Sequence, residues 1–122
     1  MAARFVDVPA DAIRARLGGA GFYRAQVAGR EEVWERKHDR DPTYLIRVYT
    51  SIAHGEGTRA CGADAIRVIA LLAPSNGKVY PIHKGVRVHR AGSVDGVLDR
   101  VIERAREAYA ACNAHRRKMA AR

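Results

Sequence analysis

One segment narrows the choice of fold more than any other. Val94, Val97, Leu98, Val101, Ile102, Ala105, Ala108, Tyr109 and Cys112 recur at helical spacing and form one continuous apolar stripe. Arg100, Glu103, Arg104, Arg106 and Glu107 take the other side, where Glu103–Arg106 and Arg104–Glu107 are spaced as i, i+3 ion pairs. Ser93 is placed to cap this helix and Asp95 to complement its first turn. A helix with a single apolar face must lie on another layer.

The rest of the chain supplies strands for that layer. Residues 43–52 alternate, with Tyr44, Ile46, Val48 and Ile52 on one side and Leu45, Arg47, Tyr49 and Ser51 on the other. Residues 64–73 are β-like, with Ile66, Val68, Ala70 and Leu72 opposite Arg67, Ile69 and Leu71; Ile66, Ile69 and Ala70 also fit a helix. Residues 22–28 and 31–38 flank Gly29-Arg30, a pair suited to a tight hairpin turn. Residues 78–90 form a returning strand after the turn at residues 74–77, interrupted by a bulge or turn at Pro81 or Lys84-Gly85. Near the start, Pro9, then Ile13 and Leu17, then Gly18-Gly19 and Gly21 delimit a short helix after an extended lead. Residues 53–62 read as a glycine-rich loop.

The expected fold is therefore α+β: a single two-layer domain in which an antiparallel four- to five-stranded meander follows a short N-terminal helix. The long C-terminal amphipathic helix packs on one sheet face, leaving the other open. Residues 1–112 make the domain, and residues 113–122 follow as a basic tail that frays. A length of 122 residues fits one core and no second one.

The chain contains no apolar run of the ~18–20 residues that a membrane helix needs, and its first residues lack the apolar core of a secretion signal. Cys61 and Cys112 lie far apart with no C-x-x-C pair, which fits reduced thiols in the cytoplasm better than a disulfide. None of the five histidines is spaced i, i+4 from another, so no metal and no cofactor is expected.

Charge points to a partner. The net charge of +9 is uneven: residues 1–43 carry +1, residues 44–92 carry +5, residues 93–112 carry −1 and residues 113–122 carry +4. Eighteen of the 22 cations are arginines, whose planar forks suit phosphate. A polyanion matches this asymmetry. If Ile46, Val48, Ile66, Val68 and Val88 lie under the helix, then Arg47, Tyr49, Arg67, Arg87 and His89 emerge on the open face. Arg24 or Arg36, with Trp34 or Tyr23, extends that row from the first hairpin according to register. Cations interleaved with rings on an open sheet suit single-stranded nucleic acid, the cations tracking phosphates and the rings stacking on bases. Arg59 in the glycine-rich loop and Arg116, Arg117 and Lys118 in the tail add phosphate contacts.

The expected function is nucleic-acid binding, with single-stranded DNA or RNA favoured, by a cytoplasmic or nucleoid-associated protein that assembles into homo-oligomers and binds no membrane. Catalysis has thinner support. Glu35-Arg36-Lys37 is half of a metal-nuclease signature, but no acidic residue lies between Asp11 and Glu31 to complete it. A small metal-free ribonuclease of toxin-like size and charge is one alternative. An oligomeric interaction module without nucleic acid is another, as is the plain reading of Arg47 and Arg67 as solvated strand residues.

Overall fold

The computed structural model describes residues 7–25, 31–53, 60–62, 66–74, 77–87 and 93–121. In chain order the elements are β1 (Asp7–Pro9), α1 (Ala10–Gly19), β2 (Tyr23–Ala25), β3 (Glu31–Lys37), β4 (Tyr44–Ala53), β5 (Ala60–Gly62), β6 (Arg67–Leu72), β7 (Tyr80–Arg87) and α2 (Val94–Ala120). Strands β2-β3-β4-β6-β7 make a five-stranded antiparallel sheet in that spatial order, and β1 pairs with β5 in a separate two-stranded ribbon. The expected two-layer α+β architecture is present.

Alternation on the two central strands decides which way the sheet faces. Tyr44, Ile46, Val48 and Ile52 of β4, with Ile66 beside β6 and Val68 and Ala70 on it, join one buried cluster with Ile13 and Leu17 of α1. Val97, Leu98, Val101, Ala105, Ala108 and Cys112 of α2 complete that cluster, so both helices lie on the same sheet face. The strand pairing of residues 67–72 with β4 excludes the helical alternative for this segment. Ser93 Oγ accepts from Gly96 N at 3.0 Å, the cap its position predicted. Helix α1 follows Pro9 directly and stops at Gly19, and Gly21 then takes a positive φ of 88° that a side chain would resist.

Three expectations change. The glycine-rich segment contains a strand, because Ala60–Gly62 pair with Asp7–Pro9. The β3–β4 ladder shifts register between Glu31 and Val33. Within that irregular stretch of β4, the Thr50 hydroxyl donates to Glu32 O at 2.7 Å and accepts from Ile52 N at 3.2 Å, satisfying backbone groups that a bulge disturbs.

The third change concerns residues 113–120, expected as a fraying tail, which continue α2 to Ala120. Side chains from the last helical turns grip the β3–β4 turn, and hydropathy alone is blind to such polar anchors. No helix among the described residues is long and apolar enough to cross a membrane.

Candidate functional site

The face of the sheet turned away from both helices is made of three cross-strand rows, two of which carry the expected Arg47, Arg67 and Arg87. One row runs Ala25–Val33–Tyr49–Arg67–Arg87, the second Tyr23–Glu35–Arg47–Ile69, and the third Lys37–Leu45–Leu71–Pro81. Directly paired residues share a face, so Tyr49, Arg67 and Arg87 form a line across three adjacent strands. Arg67 is exposed and its guanidinium carbon lies 4.7 Å from the centre of the Tyr49 ring. Arg87 is described in its backbone alone.

Arg47 differs from its neighbours. Its Nε donates to Glu35 Oε2 at 2.6 Å and its Nη1 to the Tyr49 hydroxyl at 3.3 Å, with 16% of its side chain exposed. Burial pushes its pKa down, but the bonds to Tyr49 and Glu35 outweigh this and hold the guanidinium above its ordinary value. Arg47 is thus committed within the sheet, where it fixes Tyr49. Glu35, the acid of the nuclease half-motif, is the carboxylate that Arg47 holds.

Two of the expected binding residues sit on the other face. Trp34 pairs with Val48 and Arg36 with Ile46, so both project toward the helices. A one-residue difference in register decides this, and Tyr23, 44% exposed, takes the open-face position instead. Trp34 packs against the core and donates its Nε1–H to Glu32 Oε1 at 2.9 Å. Glu32 is 1% exposed and is also bridged by the Arg14 fork at 3.0 and 2.9 Å, with Arg24 at 3.7 Å. Burial pushes the Glu32 carboxyl up. The hydrogen bonds from Arg14 and Trp34 and the nearby positive charges pull it down further, leaving it below the usual carboxylate range. Arg59 and His89 lie outside the described residues.

A second constellation, missed by the sequence analysis, joins the β3–β4 turn to the end of α2. His38 is buried; its Nδ1 accepts from Arg40 N at 3.1 Å and Asp41 N at 3.2 Å, so the proton sits on Nε2, which donates to Asn113 Oδ1 at 2.7 Å. The imidazole stacks on Tyr109 at 4.7 Å and 15°. The Tyr109 hydroxyl donates to Asp39 Oδ2 at 2.9 Å and accepts from Asp39 N at 3.3 Å. One turn further on, the Tyr44 hydroxyl and His115 Nδ1 share a 2.7 Å bond. Asp41 is held below the ordinary carboxyl range chiefly by the Thr43 hydroxyl, 2.6 Å away, while Arg116 approaches it at 3.8 Å. Arg117 and Lys118 are exposed on the same helical end. The one signal for this arrangement in the sequence is the recurrence of Tyr109, Asn113 and Arg116 at i, i+4 and i, i+3 spacing past the apolar stripe.

Compared with known proteins, the chain matches no family model, no curated protein and no solved structure.

Proposed function

We propose that the protein binds nucleic acid, single strands in preference to duplex, through the open face of its sheet. The observation that supports this reading is the in-register row Tyr49–Arg67–Arg87, a ring and two arginines across adjacent strands on a face that no helix covers among the described residues. Arg67 and Arg87 would follow the phosphates. Tyr49, braced by Arg47, would take a base once the Arg67 guanidinium swings from the ring to a phosphate. Arg116, Arg117 and Lys118 would add attraction without sequence preference. The proposal includes a cytoplasmic or nucleoid location. It also includes self-association through the sheet edges β2 and β7, which no further strand among the described residues covers, beside the exposed rings of Tyr23 and Tyr80.

The ribonuclease alternative gains nothing from His38, because both of its ring nitrogens already have partners within the turn and Asn113.

The test is anisotropy of labelled single-stranded and duplex oligonucleotides at two salt concentrations, followed by a gel of the recovered strands. Expected are intact strands, tighter binding to single strands, and an affinity that falls by about tenfold or more between 50 and 200 mM salt. Arg67→Ala should weaken binding severalfold without moving the thermal midpoint. Salt-independent binding, or an Arg67→Ala protein that binds as well as wild type, overturns the proposal.

A further inference from the structure

Two clefts adjoin on the helix side of the sheet, and their linings differ in kind. The first, about 390 Å³, lies between α2, β3, β4 and the segment after α1. Phe22, Ile46, Ile102 and Ala105 give it apolar walls, and Arg36 and Arg106 stand in its lining. The second, about 530 Å³, is lined by His38, Asn113 and three arginines, Arg40, Arg116 and Arg117. Tyr109 and Asp39 belong to both. Each volume falls within the range of about 300–1,000 Å³ usual for small-molecule sites.

The shared wall is fixed. His38 stacks on Tyr109, and Asp39 bonds its hydroxyl through both a carboxylate oxygen and a backbone N–H. The cations are less committed. Arg40, Arg106 and Arg117 are exposed and form no ion pair among the described residues. Arg116 meets Asp41 only at 3.8 Å, and that carboxylate already accepts two bonds from Thr43. Three guanidiniums thus face one cleft whose only acidic lining residue among the described ones, Asp39, is occupied by Tyr109 and approached by Arg36. Guanidinium forks recognise phosphate oxygens in pairs, and an apolar cleft favours a flat ring over water.

We propose that the two clefts form one binding site for a free aromatic phosphomonoester of nucleotide size. The ring lies against Phe22, Ile46 and Ala105, and the phosphate is held by Arg40, Arg116 and Arg117 across the Tyr109 wall. Joining ring and phosphate in one molecule makes the second contact intramolecular, so the whole binds more tightly than either half. This site lies apart from the open face that carries Arg67; Arg116 and Arg117 enter both readings, but the ring cleft and Arg40 belong to this one, which does not rest on the nucleic-acid reading.

The test is calorimetric titration of the full chain with 1-naphthyl phosphate, 1-naphthol and inorganic phosphate. Naphthyl phosphate should bind at least about tenfold more tightly than either fragment. The exposed-residue pair Arg40→Glu/Arg117→Glu should lower that affinity about tenfold or more while leaving naphthol binding unchanged. Ala105→Leu should block both aromatic probes, its fold being checked by circular dichroism; the double arginine variant decides the matter should Ala105→Leu not fold. Arg67→Glu, on the opposite face, should leave all three titrations unchanged. Competition by AMP supports a free phosphomonoester as the ligand, and competition by a 5′-phosphorylated trinucleotide but not by AMP assigns the site to strand ends and overturns the free ligand. Naphthyl phosphate binding no tighter than inorganic phosphate overturns the proposal, and so does equal weakening by Arg67→Glu, which would reveal diffuse attraction to a +9 chain.

Discussion

Two of the three carboxylates of strand β3, Glu32 and Glu35, lie three residues apart and divide the molecule into two regimes. Glu32 belongs to the helix side, where the Arg14 fork, Trp34 and a more distant Arg24 converge on it at 1% exposure. Glu35 belongs to the open side, where Arg47 alone among the described residues holds it and the flanking cation, Arg67, rests on a ring. On the helix side a charge is tolerated because its neighbours surround it. On the open side one arginine is spent on a carboxylate and the next is available. Arginines of equal formal charge therefore differ in what they can bind, and only the pairing across strands tells them apart.

The largest expected effect comes from breaking the helix-side cluster. Arg14→Ala leaves the Glu32 carboxylate buried with the Trp34 N–H and, among the described cations, only the more distant Arg24, and should lower stability by about 3 kcal/mol in urea denaturation. The sign with pH follows from the depressed folded-state pKa of Glu32. Its stabilisation is fully present above the unfolded carboxyl pKa and is lost as pH falls through the lower folded value. Stability of the wild type should therefore decline on acidification in that window, and Arg14→Ala should flatten the decline. An unchanged acid limb would mean that Arg14 does not hold Glu32.

Smaller effects sharpen the open side. Arg47→Ala strands Glu35, and because Glu35 retains 9% exposure the cost should be nearer 2 kcal/mol. Arg67→Ala should cost no more than about 0.5 kcal/mol, as expected of an exposed side chain, while taking the greater toll on oligonucleotide affinity. If the two variants lose stability equally, the contrast between committed and available arginine fails. Outside both regions, Ser93→Ala removes the α2 cap and should cost about 1 kcal/mol, read as a shift in the denaturation midpoint.

The sequence made the central layer readable because alternation and the helical stripe each repeat several times: Ile46, Val48 and Val68 faced Val97 and Val101 as their spacing required. Short or polar features were harder. Ala60–Gly62 is three small residues long and has no periodicity to detect. Trp34 and Arg36 changed face through register, which the sequence between β2 and β3 left open. The Arg47–Glu35 pair joins residues twelve apart on adjacent strands, so it could be found only once the register was known. The His38–Asn113 bond lay beyond hydropathy altogether, since it links one polar turn to a helical segment past the last apolar position.

That bond also bears on the order of folding. It joins positions 75 residues apart, and the Tyr44–His115 bond beside it spans 71. A loop of that length closes at a high entropic cost, which little but a finished sheet and helix can offset. The contact between the β3–β4 turn and the end of α2 therefore belongs after the rate-limiting step. His38→Ala should leave the refolding arm of a chevron plot in place and raise the unfolding arm. The last turns of α2 act as a latch on kinetic lifetime: they set how long the native state persists, and contribute little to how quickly it is reached.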